Sequence, residues 1–192
     1  SGDVTGVNFE TILLDGQGGT DVVTFTGSTG NDKYFARPTS GFMLNSAFDL
    51  EAFNFEQMTG NLLTGSDLAR FFDSTGNDTV TANPTTATIV DAGFTHTANG
   101  YDTLLAQSTA GGTDTVNLTG SSGDDLLTGG LGTATLGAAG VSLQMLSFEV
   151  VTSNGVSGLD IARFTGSAGN DTFTAGPTSA SFVGTGFNLS TT

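Results

Sequence analysis

Cysteine is absent, so the chain has neither a disulfide staple nor a thiolate metal site. Tryptophan is absent too, and histidine occurs once, as His96. Basic residues are scarce: Lys33, Arg37, Arg70 and Arg163 stand against 19 acidic ones. The net charge of −15 argues against nucleic acid and against an anionic membrane surface as partners. No apolar run approaches the roughly 20 residues of a membrane span, which argues against membrane insertion, and no secretory leader is recognisable. Catalytic sets are equally thin. His96 has no partner at a repeated position, and there is no Ser/His/Asp pattern and no phosphate loop. A glycosidase needs only two carboxylates, but the acids here fall in repeated columns, whereas a catalytic pair breaks symmetry. Cleavage of acidic polysaccharide wants a basic groove, which four cations do not supply. The expectation is a non-enzymatic protein.

What is present is turn chemistry and strand chemistry. Gly accounts for 29 of 192 residues and Phe for 15, with Thr, Ser, Asn and Asp abundant. Only 12% of residues are charged, too few for a disordered acidic tail. The mixture reads as all-β. A cysteine-free, Thr-rich acidic chain suits an extracellular or cell-surface protein of bacteria.

The chain repeats itself. One acidic position falls at Asp32, Asp78, Asp125 and Asp171, at intervals of 46, 47 and 46. A second, ahead of an apolar segment, falls at Asp21, Asp67, Asp114 and Asp160 with the same intervals. A third is an aromatic followed by an acid: Phe9-Glu10, Phe55-Glu56, Tyr101-Asp102 and Phe148-Glu149. The one extra residue lies between Tyr101 and Asp114. Boundaries follow: a half repeat 1–20, repeats 21–66, 67–113 and 114–159, and a partial repeat 160–192. Phe9, Asp32, Phe55, Asp78 and Tyr101 also follow one another at equal steps of half a repeat, which predicts two coils per repeat. A single coil as long as the whole repeat is the alternative. Either way, a period in the range of roughly 20–50 residues points to a solenoid, and the expected fold is an all-β, right-handed parallel β-solenoid of four repeats.

Stacking the repeats produces apolar columns. Phe25, Phe71, Leu118 and Phe164 form one, expected to pile up as a row inside a single tube. Tyr34, Val80, Leu127 and Phe173 form another, and Met43, Ile89, Leu136 and Phe182 a third. Small residues alternate with large ones at period two, as strands with one buried face require. Phe9, Phe55, Tyr101 and Phe148 are expected to close a corner. A longer rhythm is visible as well: "DLARFF" at 67–72 and "DIARFT" at 160–165, two repeats apart, match each other better than either matches the intervening copy. Arg70 and Arg163 should therefore project from one face.

The segments 27–35, 73–81, 120–128 and 166–174 carry the pattern G-x-x-G-[ND]-D-x-apolar, with Asp73 replacing the first Gly in one copy. This resembles the nonapeptide of the RTX, or hemolysin-type calcium-binding, repeat proteins, and it is similar to the Thr/Gly/Asp-rich arrays of giant bacterial surface proteins. The resemblance implies calcium held between turns by glycine carbonyls and carboxylates. The ligands carried over are Asp32, Asp78, Asp125 and Asp171, with Asn31, Asn77, Asp124 and Asn170 beside them. The motif occurs once per repeat rather than in tandem. A turn capped by Asn and Asp side chains is the competing reading, with Asn31, Asn77 and Asn170 forming a possible side-chain ladder.

The pattern opens and closes in mid-repeat, at Ser1 and Thr192. Joining Thr192 to Ser1 resumes it with a short surplus in the joint. A solenoid end exposes bare core and unpaired strand edges. Two expectations follow: a piece of a longer array, or a subunit whose head completes the tail of the next, giving a fibre or filament. Cell-surface glycans are a further candidate partner, and a calcium-rigidified spacer or adhesin segment is the alternative function.

Overall fold

In a computed structural model of the chain, residues 10–192 are described, and every regular element among them is a strand. They are β1 (Thr11–Asp15), β2 (Val22–Thr26), β3 (Lys33–Arg37), β4 (Ser40–Leu44), β5 (Asp49–Phe53), β6 (Gln57–Asn61), β7 (Leu68–Phe72), β8 (Thr79–Ala82), β9 (Thr86–Asp91) and β10 (Phe94–Asn99). β11 (Thr103–Gln107), β12 (Thr115–Thr119), β13 (Leu126–Gly130), β14 (Thr133–Ala138), β15 (Val141–Leu146), β16 (Val150–Asn154), β17 (Ile161–Phe164), β18 (Thr172–Ala175), β19 (Ala180–Gly184) and β20 (Phe187–Thr191) follow. The chain passes back and forth between two sheets. The first runs β1-β5-β4-β3-β7-β11-β15-β14-β13-β17, the second β18-β19-β20-β16-β12-β8-β9-β10-β6-β2. The two face each other across one apolar core, a β-solenoid of about five turns.

Each visit to a sheet takes one of two forms. Either a single strand crosses it, or three strands meander there, antiparallel, before the chain leaves. β6, β7 and β8 begin at the evenly spaced positions Gln57, Leu68 and Thr79. The next change of sheet comes much later, at Thr103, because β8, β9 and β10 form a meander. Those three steps, two short and one long, make up one sequence repeat. Three half turns is an odd number, so each repeat starts on the sheet opposite its predecessor. Like sheets recur only after two repeats. This explains the longer rhythm: β7 and β17, with Arg70 and Arg163, lie in the first sheet, whereas β2 and β12 lie in the second.

Two expectations are corrected here. One turn matches neither the half repeat nor the whole repeat. Parallel partners are mostly 35 apart, as in Lys33↔Leu68, Leu68↔Thr103 and Leu126↔Ile161, and 38 or 39 where the partner is the last strand of a meander, as in Gln57↔Thr95 and Thr103↔Ser142. The column Phe25, Phe71, Leu118, Phe164 is core, but it is not one row. Phe25 and Leu118 point inward from the second sheet, Phe71 and Phe164 from the first. Within a sheet each large side chain lies beside small ones: Phe25 beside Gly60, Phe71 beside Ala36 and Ala106, Leu118 beside Ala82 and Ser153. The space above each small residue is filled from the opposite sheet. A Cβ on Gly60 would lie 2.5 Å from the Tyr34 ring, and one on Gly41 2.6 Å from Met58 Sδ. Rows of phenylalanine in a single sheet would leave the facing sheet no volume to fill at native density.

Of the residues expected to close a corner, Tyr101 and Phe148 are buried and Phe55 is half-buried, each just ahead of a change of sheet; Phe9 lies outside the described residues. The antiparallel meanders were not foreseen, although their turns carry a signal. Pro38-Thr39, Pro84-Thr85 and Pro177-Thr178 sit at the first turn of three of them. Asn83 Oδ1 accepts the N–H of Thr85 and Thr86, at 2.9 and 3.0 Å. At the second turn Ala139 and Gly140 both adopt positive φ, 51° and 83°, the shape that suits a two-residue hairpin.

Candidate functional site

Each copy of the repeated motif closes a tight turn at one of the changes of sheet in its repeat, between β2 and β3, β7 and β8, β12 and β13, and β17 and β18. In all four copies the serine N–H donates to the motif aspartate: Ser28 to Asp32 at 2.7 Å, Ser74 to Asp78 at 2.9 Å, Ser121 to Asp125 at 2.7 Å and Ser167 to Asp171 at 2.8 Å. The serine Oγ in turn accepts the N–H of Gly30, Gly76, Gly123 or Gly169 at 2.9–3.0 Å. Asn31, Asn77 and Asp124 do not bond one another. Their side-chain oxygens accept the N–H of Ser66, Thr113 and Leu159 on the next turn, each at 2.9 Å. Asn170 is exposed at the C-terminal end of the stack.

The three acidic markers also meet across turns. The N–H groups of Asp32, Asp78 and Asp125 donate to the carboxylates of Asp67, Asp114 and Asp160 at 2.8, 2.7 and 2.9 Å. Those of Asp67 and Asp114 donate to Asp102 and Glu149 at 2.7 and 2.8 Å, and that of Asp21 to Glu56 at 2.8 Å. Acids a full turn apart in sequence thus become neighbours in space. Two carboxylate–amide lines run along the two edges of the solenoid. Asp32, Asp67, Asp78, Asp114 and Asp125 are buried, and the amide donors offset the cost of removing their charge from water. That offset is incomplete at two of them. Burial pushes the carboxyls of Asp67 and Asp78 above the ordinary range, and neighbouring carboxylates add to it: Asp32 and Asp102 at Asp67, Asp91 and Asp114 at Asp78. In the first copy Asn45 Nδ2 donates to Asp32 Oδ1 at 2.6 Å. Asp91 takes the place of Asn45 in the second copy, and Asp78 Oδ1 has no partner there. Among the described residues no group of three or more His, Cys, Asp or Glu side chains is arranged to hold a metal. The arrangement braces backbone against backbone.

The two exceptions to the repeat explain each other. The extra residue enlarges the loop Ser108–Gly112, and Asp73, standing where the other copies have Gly27, Gly120 and Gly166, accepts the N–H of Thr109 and Ala110 at 2.8 and 2.7 Å. His96, which has no counterpart in the other repeats, lies inside the core on β10. Its ring stacks on Phe94 at 4.6 Å, and Nε2 donates to the Arg37 carbonyl at 2.9 Å.

Outside, one patch breaks the Thr/Asn pattern. On the first sheet Phe35, Phe42, Phe53 and Phe72 stand outward with Lys33, Arg37 and Arg70. The Arg37 guanidinium lies 5.3 Å from the Phe42 centroid and 4.8 Å from that of Phe72; Arg70 lies 4.5 Å from Phe72. Threonine or asparagine takes most of these positions elsewhere in the repeat, as at Thr81 and Thr88.

At the C-terminal end the core is bare. Ala162 and Phe173 are exposed and Phe164 is half-exposed, although their repeat equivalents Ala69, Val80 and Phe71 are fully buried. Ala162, Phe164, Phe173, Ala180 and Phe182 line a hollow of about 260 Å³ there. Compared with family models, curated proteins and solved structures, the chain has no match in any of the three.

Proposed function

We propose that the chain is a non-enzymatic structural protein of the bacterial cell exterior, a β-solenoid subunit that adds to further copies end to end in a fibre or filament. One observation carries this reading. Positions that are core in every interior turn are left open at the C-terminal face, where β17 and β18 are also edge strands among the described residues. A sheet edge of this kind templates the addition of another strand. Because head and tail differ, the contact is heterologous and does not close on itself. The motif carboxylates serve as turn braces in this reading and need no calcium. Sedimentation and negative-stain microscopy of the purified chain test it: filaments of constant width that lengthen with concentration are expected, and monodisperse monomers at high concentration reject it.

The outward Phe–Arg patch supports a side contact with a cell-surface glycan, since phenylalanine offers a flat apolar face to a sugar ring and arginine offers hydrogen-bond donors to its hydroxyls. Retention of the protein on a polysaccharide column, lost in Arg37→Ala with Arg70→Ala, is the expected outcome.

A further inference from the structure

We infer the register of the joint: β1 and β2 of a second copy cover β17 and β18, Thr11 opposite Ile161 and Val22 opposite Thr172, and Arg163 pairs with Asp15 of that second copy. The inference rests on the end-to-end reading and adds which strands meet and what holds them.

The joint already exists inside the chain. β17 and β18 are the two-repeat equivalents of β7 and β8, and β1 and β2 those of β11 and β12. β7 is covered by β11, with Leu68 opposite Thr103, and β8 by β12, with Thr79 opposite Thr115. All four end strands run parallel to these internal ones, so a second copy continues both sheets without reversing any strand. In the same register Glu10 receives the N–H of Asp160, as Asp102 receives that of Asp67, and Asp21 receives that of Asp171, as Asp114 receives that of Asp78.

Two features of the ends fit this joint in particular. Gly65, Gly112 and Gly158 adopt positive φ, and in each a Cβ would strike the carbonyl of Gly30, Gly76 or Gly123 on the preceding turn. Gly19 holds the same shape, φ 138°, and among the described residues only its own turn's Asp21 lies near the Cβ position. Gly169 of the neighbouring copy supplies the missing carbonyl. Charge is the second feature. Inside the chain Arg70 Nη2 donates to Gln107 Oε1 at 2.7 Å. At the joint Arg163 takes the place of Arg70, and Asp15 takes that of Gln107, so a neutral acceptor becomes an anion. Asp15 is exposed, and hydrogen bonds from Asn54 and Gln17 hold its carboxyl below the ordinary range.

The absence of cysteine makes the register directly testable. Neighbouring parallel strands lie about 4.8 Å apart, within the roughly 4.4–6.8 Å that a disulfide spans between Cα atoms. Thr11 and Ile161 are at opposite ends of the molecule, so a disulfide between them links two copies. Thr11→Cys with Ile161→Cys, oxidised mildly, is expected to give a covalent ladder of multimers on a non-reducing gel. Thr11→Cys with Thr172→Cys, which joins opposite sheets, is expected to give none. Cross-linking of the second pair instead, or assembly of the parent chain without cross-linking of the first, overturns the register and leaves the fibre reading standing. A parent chain that never assembles overturns both. Charge reversal tests the ion pair. Arg163→Glu and Asp15→Arg each raise the concentration needed for assembly roughly threefold or more, and the two together restore it. Failure of the double reversal to restore assembly, in variants whose circular dichroism matches the parent, removes the ion pair.

Discussion

Two buried side chains depart from their columns at the scale of single residues. Tyr34 holds a position taken elsewhere by Val80, Leu127 and Phe173; it is fully buried, its hydroxyl has no partner, and burial pushes the phenol's pKa well up. An unsatisfied buried hydroxyl costs about 1–3 kcal/mol, so Tyr34→Phe should raise stability by about 1 kcal/mol in urea unfolding. His96 stands where the other repeats have Leu50, Leu143 and Leu189. With Nε2–H committed to a carbonyl and Nδ1 unpartnered, a second proton would be a buried charge without a counter-ion. Burial lowers the pKa from 6.5 to about 4. A group depressed in the fold stabilises fully above its unfolded value; as pH falls from 6.5 towards 4 the unfolded chain takes up the proton and the native one does not, so stability drops, by at most about 3 kcal/mol. Asp67 and Asp78 run the other way, since their raised folded values give stability below 3.8 that is lost as pH rises through them. His96→Leu should flatten the stability profile between pH 6.5 and 4 while leaving the carboxyl contribution in place. An unchanged slope in denaturant titrations would count against this account of the histidine.

Among elements, the single strand and the meander are interchangeable ways of crossing a sheet, and the loops between them tolerate one residue if its amides find an acceptor. Asp73 is that acceptor for Thr109 and Ala110. Asp73→Gly, which restores the residue of the other copies, should cost about 1–3 kcal/mol. Combining it with deletion of Thr109 should recover most of the loss, a coupling that a double-mutant cycle measures. This is also where sequence reading reached its limit. The period was legible because every change of sheet needs an acid to receive an amide, and Glu56, Asp67 and Asp78 advertise it. The alternation of sheets was not legible, because Phe25 in one sheet and Phe71 in the other satisfy the same large-beside-small rule. The even spacing of Phe9, Asp32 and Phe55 imitated a half repeat. Yet the stretch from Asp32 to Phe55 is the meander β3, β4 and β5, which stays within one sheet, and the Pro-Thr and Gly turns of such meanders were the overlooked clue. The carboxylates were legible as a set. Their role as amide acceptors was not, since the donors to Asp67, Asp102 and Asp114 lie a full turn away in sequence.

Considered as a whole, the molecule concentrates charge of one sign. Nineteen acids against four bases, many of the acids aligned along two edges, repel one another at low ionic strength. Salt shortens the reach of that repulsion to about 10 Å at 0.1 M, so the melting temperature should rise with sodium chloride. Each kcal/mol is worth roughly 2–4 °C at this chain length. Divalent ions separate screening from site binding. The motif carboxylates accept serine amides at 2.7–2.9 Å, and the carboxylates of Asp67, Asp114 and Asp160 accept aspartate amides of the preceding turn at 2.7–2.9 Å, so an ion that coordinated either set would first have to displace those donors. Calcium and magnesium chloride at equal ionic strength should therefore raise the melting temperature equally, and a chelator should leave it where ionic strength alone puts it. A gain peculiar to calcium, accompanied by heat in titration calorimetry and abolished in Asp125→Asn, would show that the edges hold ions after all and that the braces are an apo arrangement.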